Sequence, residues 1–277
     1  MKSIDDIAAA LQGYDPQALS VDQVNAFLRE LVQPLSAHES QDVYLFDALG
    51  RVLAQDVISP INVPAHNNSA MDGFAFDASQ LQADHPLTLR VVGTALAGKA
   101  WQGKVNAGEC LKIMTGAILP DGLDTVVPQE FCQVISTHDV STVTIPPKLL
   151  KAGDNRRLAG EDLMQGQPAL KAGQHLMPAA LGLVASLGLP DVRVHRRLRV
   201  AYFSTGDEVL SLGEAPREGA VYDSNRYTVF GLLTRMGCEV IDMGVVRDDP
   251  ALLENAFARA ALEADAIITS EIGRAHV

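Results

Sequence analysis

The sequence predicts a multi-domain protein of α/β plus β class. A mixed N-terminal domain carries an inserted β-rich module and is followed by an incomplete doubly wound α/β domain. Three observations predict it. Short apolar runs broken by Gly, Asp-Gly and Pro fill residues 61–153, the texture of a β module. Helical periodicity stands on both sides of that stretch, at residues 21–32 and 178–187. From Leu198 onward apolar runs alternate with helical stretches, as in a parallel sheet covered by helices. The expected bounds are 1–60 with 154–192 for the mixed domain, 61–153 for the module, 193–270 for the truncated α/β domain and 271–277 for a non-native tail. A chain of 277 residues is long enough for two or more cores.

Along the chain, Val21, Val24, Phe27, Leu28, Leu31 and Val32 share one helical face, with Ser20 placed to cap it; this helix is expected to pack on its own domain. Residues 42–58 read as a short strand around Val43 and Leu45, a helix from Asp47 to about Ala54, and an extended exit toward Pro60. Strands are expected at 87–92 and 143–145. Pro178 in the first turn and Gly188 after the last bound the next helix. The α/β part reads as strand 200–203, helix 226–236, strand 239–243, helix 251–263 and strand 266–268. Ligands of such a sheet bind at the carboxyl ends of its strands. After Ser270 the chain gives Glu271-Ile272-Gly273-Arg274-Ala275-His276-Val277, the in-frame translation of a common sequencing adapter, so Arg274 and His276 are not read as ligands.

Charge and composition narrow the function. Lys and Arg number 22 against 34 Asp and Glu, a net −12, which leaves no basic face for a general nucleic-acid binder. A small anionic substrate would need a local metal or backbone amides. Cys110, Cys132 and Cys238 are odd in number and lack a C-x-x-C pair, against a disulfide framework or structural zinc. The N-terminus lacks a signal-peptide pattern and no apolar window approaches 18 residues, so a soluble, cytoplasmic protein is expected, with no membrane partner.

Several segments carry polar chemistry. Residues 67–75 pack Asn67, Asn68, Ser69 and Asp72 ahead of Gly73, either as a ligand loop or as a self-stabilising Asx turn. Lys112-Ile113-Met114-Thr115-Gly116 is an apolar strand ending in a hydroxyl, which either faces an oxyanion or simply ends the strand. Asn155-Arg156-Arg157 beside Gly160-Glu161-Asp162 suits a phosphate site or an intramolecular ion-pair turn. Ser204-Thr205-Gly206-Asp207-Glu208 follows the first α/β strand, where loops face the ligand crevice. Adjacent carboxylates there repel one another, and a divalent cation relieves that repulsion while neutralising phosphate oxygens. In Tyr222-Asp223-Ser224-Asn225, Ser224 or Asn225 is expected to cap the following helix. Arg247-Asp248-Asp249-Pro250 opens the next helix; capping by Asp249 accounts for one Asp but not for both. The basic run His195-Arg196-Arg197-Leu198-Arg199 reads as a solvated approach to a strand. G-x-G-x-x-G, Walker, H-E-x-x-H and G-x-S-x-G motifs are absent, leaving an acidic, metal-assisted anion site.

Taken in order, these motifs together resemble the molybdopterin molybdenumtransferase family, which includes the C-terminal domain of gephyrin. The resemblance runs from about Leu35 to Ser270. It implies the final step of molybdenum cofactor assembly: adenylylated molybdopterin is bound, AMP is released, and molybdate is inserted with help from Mg2+. It implies Asp72, Thr115, Asp162 and Glu208 as catalytic residues, and Asp207, Glu208 and Asp248 as metal ligands. Asn68, Ser69, Ser204, Thr205, Gly206, Asp223, Ser224 and Asn225 would bind substrate. It further implies a homodimer whose cleft brings the β module of one subunit to the α/β domain of the other, so that Asp72 and Glu208 act in trans, and a supplying partner in molybdopterin adenylyltransferase. The family continues beyond Ser270 with a Ser-Gly-Gly loop, the rest of the sheet and a further β domain, so this chain alone is expected to be inactive. The competing readings are a non-catalytic dimeric scaffold of the same fold and the adenylyltransferase itself, against which the 68–73 and 160–162 motifs stand.

Overall fold

The computed structural model describes residues 20–32, 35–36, 38–137 and 140–271, with the backbone alone of Glu271. Of the expected tail, Glu271 ends the last strand and 272–277 lie outside the described residues, as does the chain before Ser20. The chain divides into two compact units, one of Met1–Gln55, Ala172–Gly182 and Leu189–Val277, the other of Asp56–Lys171 and Leu183–Gly188.

The first unit opens with α1 (Val21–Leu31), closed by a full capping box: the Ser20 side chain accepts from Gln23 N–H and the Gln23 side chain accepts from Ser20 N–H. The helix forms where the apolar spacing predicts it, but none of its residues is buried; Val21 is 76% and Leu28 46% exposed. Local capping and periodicity suffice to make the helix, whereas burial needs an apposed surface that the described residues do not supply. Strand β1 (Ser40–Tyr44) follows. The expected helix from Asp47 does not form. A short 3-10 turn at Leu45–Asp47 leads to Gly50 at φ 72°, and the next amides are drawn into sheet-like pairing, Gly50 N–H to Leu176 O, Leu53 N–H to Gln174 O and Ala54 N–H to Arg193 O. Non-local hydrogen bonds override a helical pattern too short to stand alone.

The second unit begins at β2 (Val57–Ile58) and β3 (Asn68–Ser69). Its centre is a six-stranded sheet of β4 (Gly73–Phe76), β5 (Leu87–Ala95), β6 (Glu109–Ile113), β7 (Thr125–Pro128), β8 (Gln133–Thr137) and β9 (Val140–Ile145), in the order β7-β4-β6-β5-β9-β8. Neighbours are antiparallel except β5 and β6. Alternating strand residues divide between two apolar clusters, one around Leu111, Ile113 and Val126, the other around Phe74, Phe76 and Val127. Gly73 is required in β4, because a Cβ there would lie 1.9 Å from the carbonyl oxygen of Val127. Strands β10 (Arg156–Arg157) and β11 (Pro168–Leu170) return to pair antiparallel with β3 and β2.

Helix α2 (Pro178–Ser186) is bounded as expected, with Gly188 at φ 74°. Strand β12 (Asp191–His195) pairs antiparallel with β1. The alternation read from Leu198 is present in full in the first unit. Strand β13 (Arg199–Thr205) is followed by the short parallel pair β14 (Val209–Leu210) and β15 (Val221–Tyr222), then α3 (Ser224–Arg235), β16 (Glu239–Val246), α4 (Pro250–Glu263) and β17 (Ala266–Glu271). The three long strands form a parallel sheet in the order β16-β13-β17. Tyr202 and Phe203 in its central strand are fully buried, and Phe203 meets Phe257 of α4 edge-on at 5.1 Å. Each such side chain contributes about 2 kcal/mol by burial. Because the strands are parallel, β13 and β16 end on the same side, and their loops converge there.

Candidate functional site

At the carboxyl ends of β13 and β16 an open pocket of about 580 Å3 is lined by Asp207, Arg217, Arg247, Asp248, Asp249 and Leu252. Each acid has a separate circumstance. Asp249 caps α4, its Oδ1 accepting from Ala251 N–H at 2.9 Å and Leu252 N–H at 3.0 Å, with Pro250 in the first turn. Asp207 Oδ1 faces Arg247 Nη1 at 3.8 Å, a long pair between two mostly exposed groups. The Asp207 carbonyl accepts from the Arg217 guanidinium. Asp248 has no hydrogen-bond or ionic partner among the described residues and is free to meet a ligand. Capping therefore explains one Asp of the pair, as read from sequence.

The turn that places Asp207 depends on Gly206. Its φ is 135°, and an added Cβ would lie 2.8 Å from Glu208 Oε2 and 3.0 Å from Val209. The Glu208 carboxylate thus folds back over the turn and does not line the pocket. Ser204 is fully buried, its hydroxyl 3.1 Å from Tyr202 Oη and 3.4 Å from Ser270 Oγ, while Tyr202 and Ser270 are 2.5 Å apart. Thr205 ends β13 half-buried. Asp223, not Ser224 or Asn225, caps α3: its Oδ1 accepts from Arg226 N–H at 3.0 Å, while Ser224 and Asn225 are exposed in the first turn. Asp223 is 2% exposed, and its Oδ2 is buried without a partner. Within the basic run Arg197 and Leu198 are exposed, as the solvated reading expects, but Arg196 is not. Arg196 donates to Glu39 at 2.5 Å and to Asp265 at 2.5 and 2.8 Å, tying the entry of β13 to that of β17.

In the second unit, the register of β4 against β6 sets Gly73 opposite Ile113 and so brings Asp72 and Thr115 together. Asp72 Oδ1 accepts from both the amide and the hydroxyl of Thr115 at 2.7 Å. These hydrogen bonds, with Lys112 nearby, hold the Asp72 carboxyl below its ordinary range. Ser69 is spent locally: its hydroxyl donates to Met71 O at 2.5 Å and accepts from Met71 N–H. Asn68 keeps a buried Oδ1 without a partner. Asp162 accepts from Arg157 at 2.6 Å and Glu161 from the same guanidinium at 2.5 Å, which is the ion-pair turn. A polar pocket of about 360 Å3 between Asp77, Asp121 and Arg156 takes in Asn67 and Arg156 of the two segments but not Asn68, Ser69, Asp72, Thr115 or Asp162.

Sequence reading missed Arg217, which lies beyond β14 and carries no motif. Among the described residues, no three His, Cys, Asp or Glu side chains are grouped to hold a metal ion unaided. Asp207 and Asp248 do suit Mg2+, which is commonly held by one or two carboxylates and completes its shell with water and substrate phosphates. No helix among the described residues is long and apolar enough to cross a membrane.

Comparison with known proteins bears on the same residues. Residues 19–188 match the family described as the MoeA N-terminal region (domain I and II), and residues 201–270 match that described as a probable molybdopterin binding domain. A molybdopterin molybdenumtransferase of Haemophilus influenzae is 42% identical over 253 residues, 91% of this chain and 60% of the relative. One from Nostoc sp. is 35% identical over 263 residues, 94% of this chain and 59% of the relative. The crystal structure of a molybdopterin biosynthesis MoeA protein from Pyrococcus horikoshii superposes with a TM-score of 0.76 at 28% identity, covering 84% of this chain and 62% of that one. The chain spans about three fifths of the length of the relatives it matches.

Proposed function

This chain belongs to the molybdopterin molybdenumtransferase (MoeA) family, and we propose that it supplies the binding core for inserting molybdenum into adenylylated molybdopterin with release of AMP. The observation that carries the reading is the pocket where Asp207 and Asp248 meet Arg217 and Arg247 at the strand carboxyl ends. Guanidinium and carboxylate on one rim suit a phosphoanhydride, because the arginines take its oxygens while the acids hold a cation against it.

Asp207 and Asp248 would hold Mg2+, with Glu208 on the same turn; bound there, the ion would neutralise phosphate oxygens and polarise phosphorus toward an oxygen nucleophile. The chain's own residues then orient the substrate. Arg217 and Arg247 grip the phosphates at the pocket rim, while Asp223, buried outside that lining with its Oδ2 unpartnered, would accept a donor from the nucleotide or pterin once the substrate displaces its cover. Ser204 and Thr205 hold the strand end rigid, while Ser224 and Asn225 present polar groups beside it. Asp72, fixed by Thr115, stays ionised at neutral pH and serves with Asn68, Ser69 and Asp162 from the second copy of a homodimer. The exposed apolar face of α1 supports such an association. Molybdate is a substrate, and molybdopterin adenylyltransferase is the partner that would hand over the adenylylated form.

The test is AMP release from adenylylated molybdopterin with molybdate and Mg2+, run on a chain extended to its relatives' full length. Turnover there, lost in Asp207→Asn and Asp248→Asn, supports the reading. An extended chain without turnover, or with turnover untouched by both substitutions, overturns it. The 277-residue chain by itself is expected to bind AMP without turnover.

A further inference from the structure

The first unit holds a second cavity, of about 400 Å3, at the opposite end of the same parallel sheet. Leu198 leads into β13 and Cys238 into β16, and both line it, whereas Asp207 and Asp248 follow those strands. The seven residues of β13 separate the two ends by roughly 23 Å at about 3.3 Å per residue.

Its charge is contrary to that of the chain. In a protein with 34 acidic and 22 basic residues, this lining contains, among the described residues, three arginines, one histidine and no acid. Arg196 is already paired with Glu39 and Asp265. Arg51 and Arg197 are not: Arg51 donates to the carbonyl of His195 at 2.8 Å, Arg197 to that of Gly237 at 3.0 Å, and neither has a carboxylate partner among the described residues. Arg51 is almost wholly removed from solvent, at 7% exposure. Burial, and then the charge of Arg197, push its pKa below the ordinary guanidinium value. Nδ1 of His195, in the same lining, is buried without a hydrogen-bond partner. A buried cation facing a like charge is relieved by an anion, and an imidazole Nδ1–H has a donor to give the same occupant. The rest of the wall is apolar, with Val52, Leu198 and Met236.

We propose that this cavity binds a small organic anion, a phosphate or carboxylate on an apolar body, with the charged group between Arg51 and Arg197 and beside His195. The site is independent of the molybdenum chemistry at the other end of the strands. Its test is calorimetric titration of the chain with phenyl phosphate, inorganic phosphate and phenol. Phenyl phosphate is expected to bind one per chain and about tenfold more tightly than inorganic phosphate, with phenol silent. Arg197→Gln should weaken phenyl phosphate about tenfold, the loss of one charge-assisted contact. Arg247→Gln, at the far pocket, should leave it unchanged. Bound phenyl phosphate should also slow alkylation of Cys238 in the unmodified protein, a readout that does not depend on the variants folding. No saturable binding, binding indifferent to Arg197→Gln, or binding lost in Arg247→Gln overturns the proposal.

Discussion

Asp223 offers a test in which stability and ligand binding come apart. One carboxylate oxygen caps α3 at 3.0 Å from Arg226 N–H, and the other is buried without a partner in a residue only 2% exposed. Asp223→Asn keeps a capping oxygen, and Asn and Asp cap equally well, so unfolding free energy should change by less than about 0.5 kcal/mol. Asp223→Ala removes the cap and should cost about 1 kcal/mol. Followed by circular dichroism in urea, with a slope of about 2 kcal/mol per molar, that loss moves the midpoint by about 0.5 M. Calorimetry with AMP and Mg2+ then reads the unpaired oxygen separately. Both variants should bind AMP more weakly although only the alanine variant is less stable. If Asp223→Asn is destabilised as far as Asp223→Ala while AMP affinity stays unchanged, the free oxygen has a structural role and the reasoning fails.

Other expectations follow from single contacts. Gly73→Ala drives a Cβ into the carbonyl of Val127 and should cost about 1–3 kcal/mol in urea unfolding, as overpacking does, and it should loosen the adjacent Asp72–Thr115 pair; a loss below about 0.5 kcal/mol would show the sheet gives way freely. Thr115→Val should raise the Asp72 pKa in a carbon-detected NMR titration. Because the native value is depressed, the stability Asp72 contributes is present above the ordinary carboxylate pKa and fades as pH falls through the native one; an unmoved Asp72 titration contradicts this. Burial first, then Cys132 and Glu109, push the Cys110 thiol up to about 12, so iodoacetamide at about pH 8 should leave Cys110 unmodified until urea unfolds the sheet; rapid native labelling argues against that packing.

The α/β alternation was legible because each element obeys its own period and its own stop signal: Pro250 after Asp249 opens α4, and short apolar runs mark the strands. The same local logic failed at residues 47–54, where pairing with 173–176 and 193–195, invisible to any short window, replaced the helix. It also failed at α1, whose amphipathic face forms without burying anything among the described residues. At the site, Asp207 and Asp248 could be read because strand ends of a parallel sheet face a crevice. Arg217 could not, since it sits in the connection between β14 and β15, which carries no signal of its position. Asp72 and Thr115 were each visible as polar residues beside a glycine, yet their contact across 43 positions follows from the β4–β6 register and not from either segment. In the basic run at 195–199, the engagement of Arg196 was not legible because its counter-ions, Glu39 and Asp265, are distant in sequence.

In the proposed function, two carboxylates at the strand carboxyl ends share a cation with a nucleotide phosphate. Crystals grown with AMP and Mn2+, whose anomalous signal marks its position, test this most directly. One anomalous peak is expected at coordinating distance from oxygens of both Asp207 and Asp248, with the AMP phosphate on the same ion and against Arg217 or Arg247. A manganese and nucleotide found together elsewhere on the chain, with both carboxylates left bare, would contradict it.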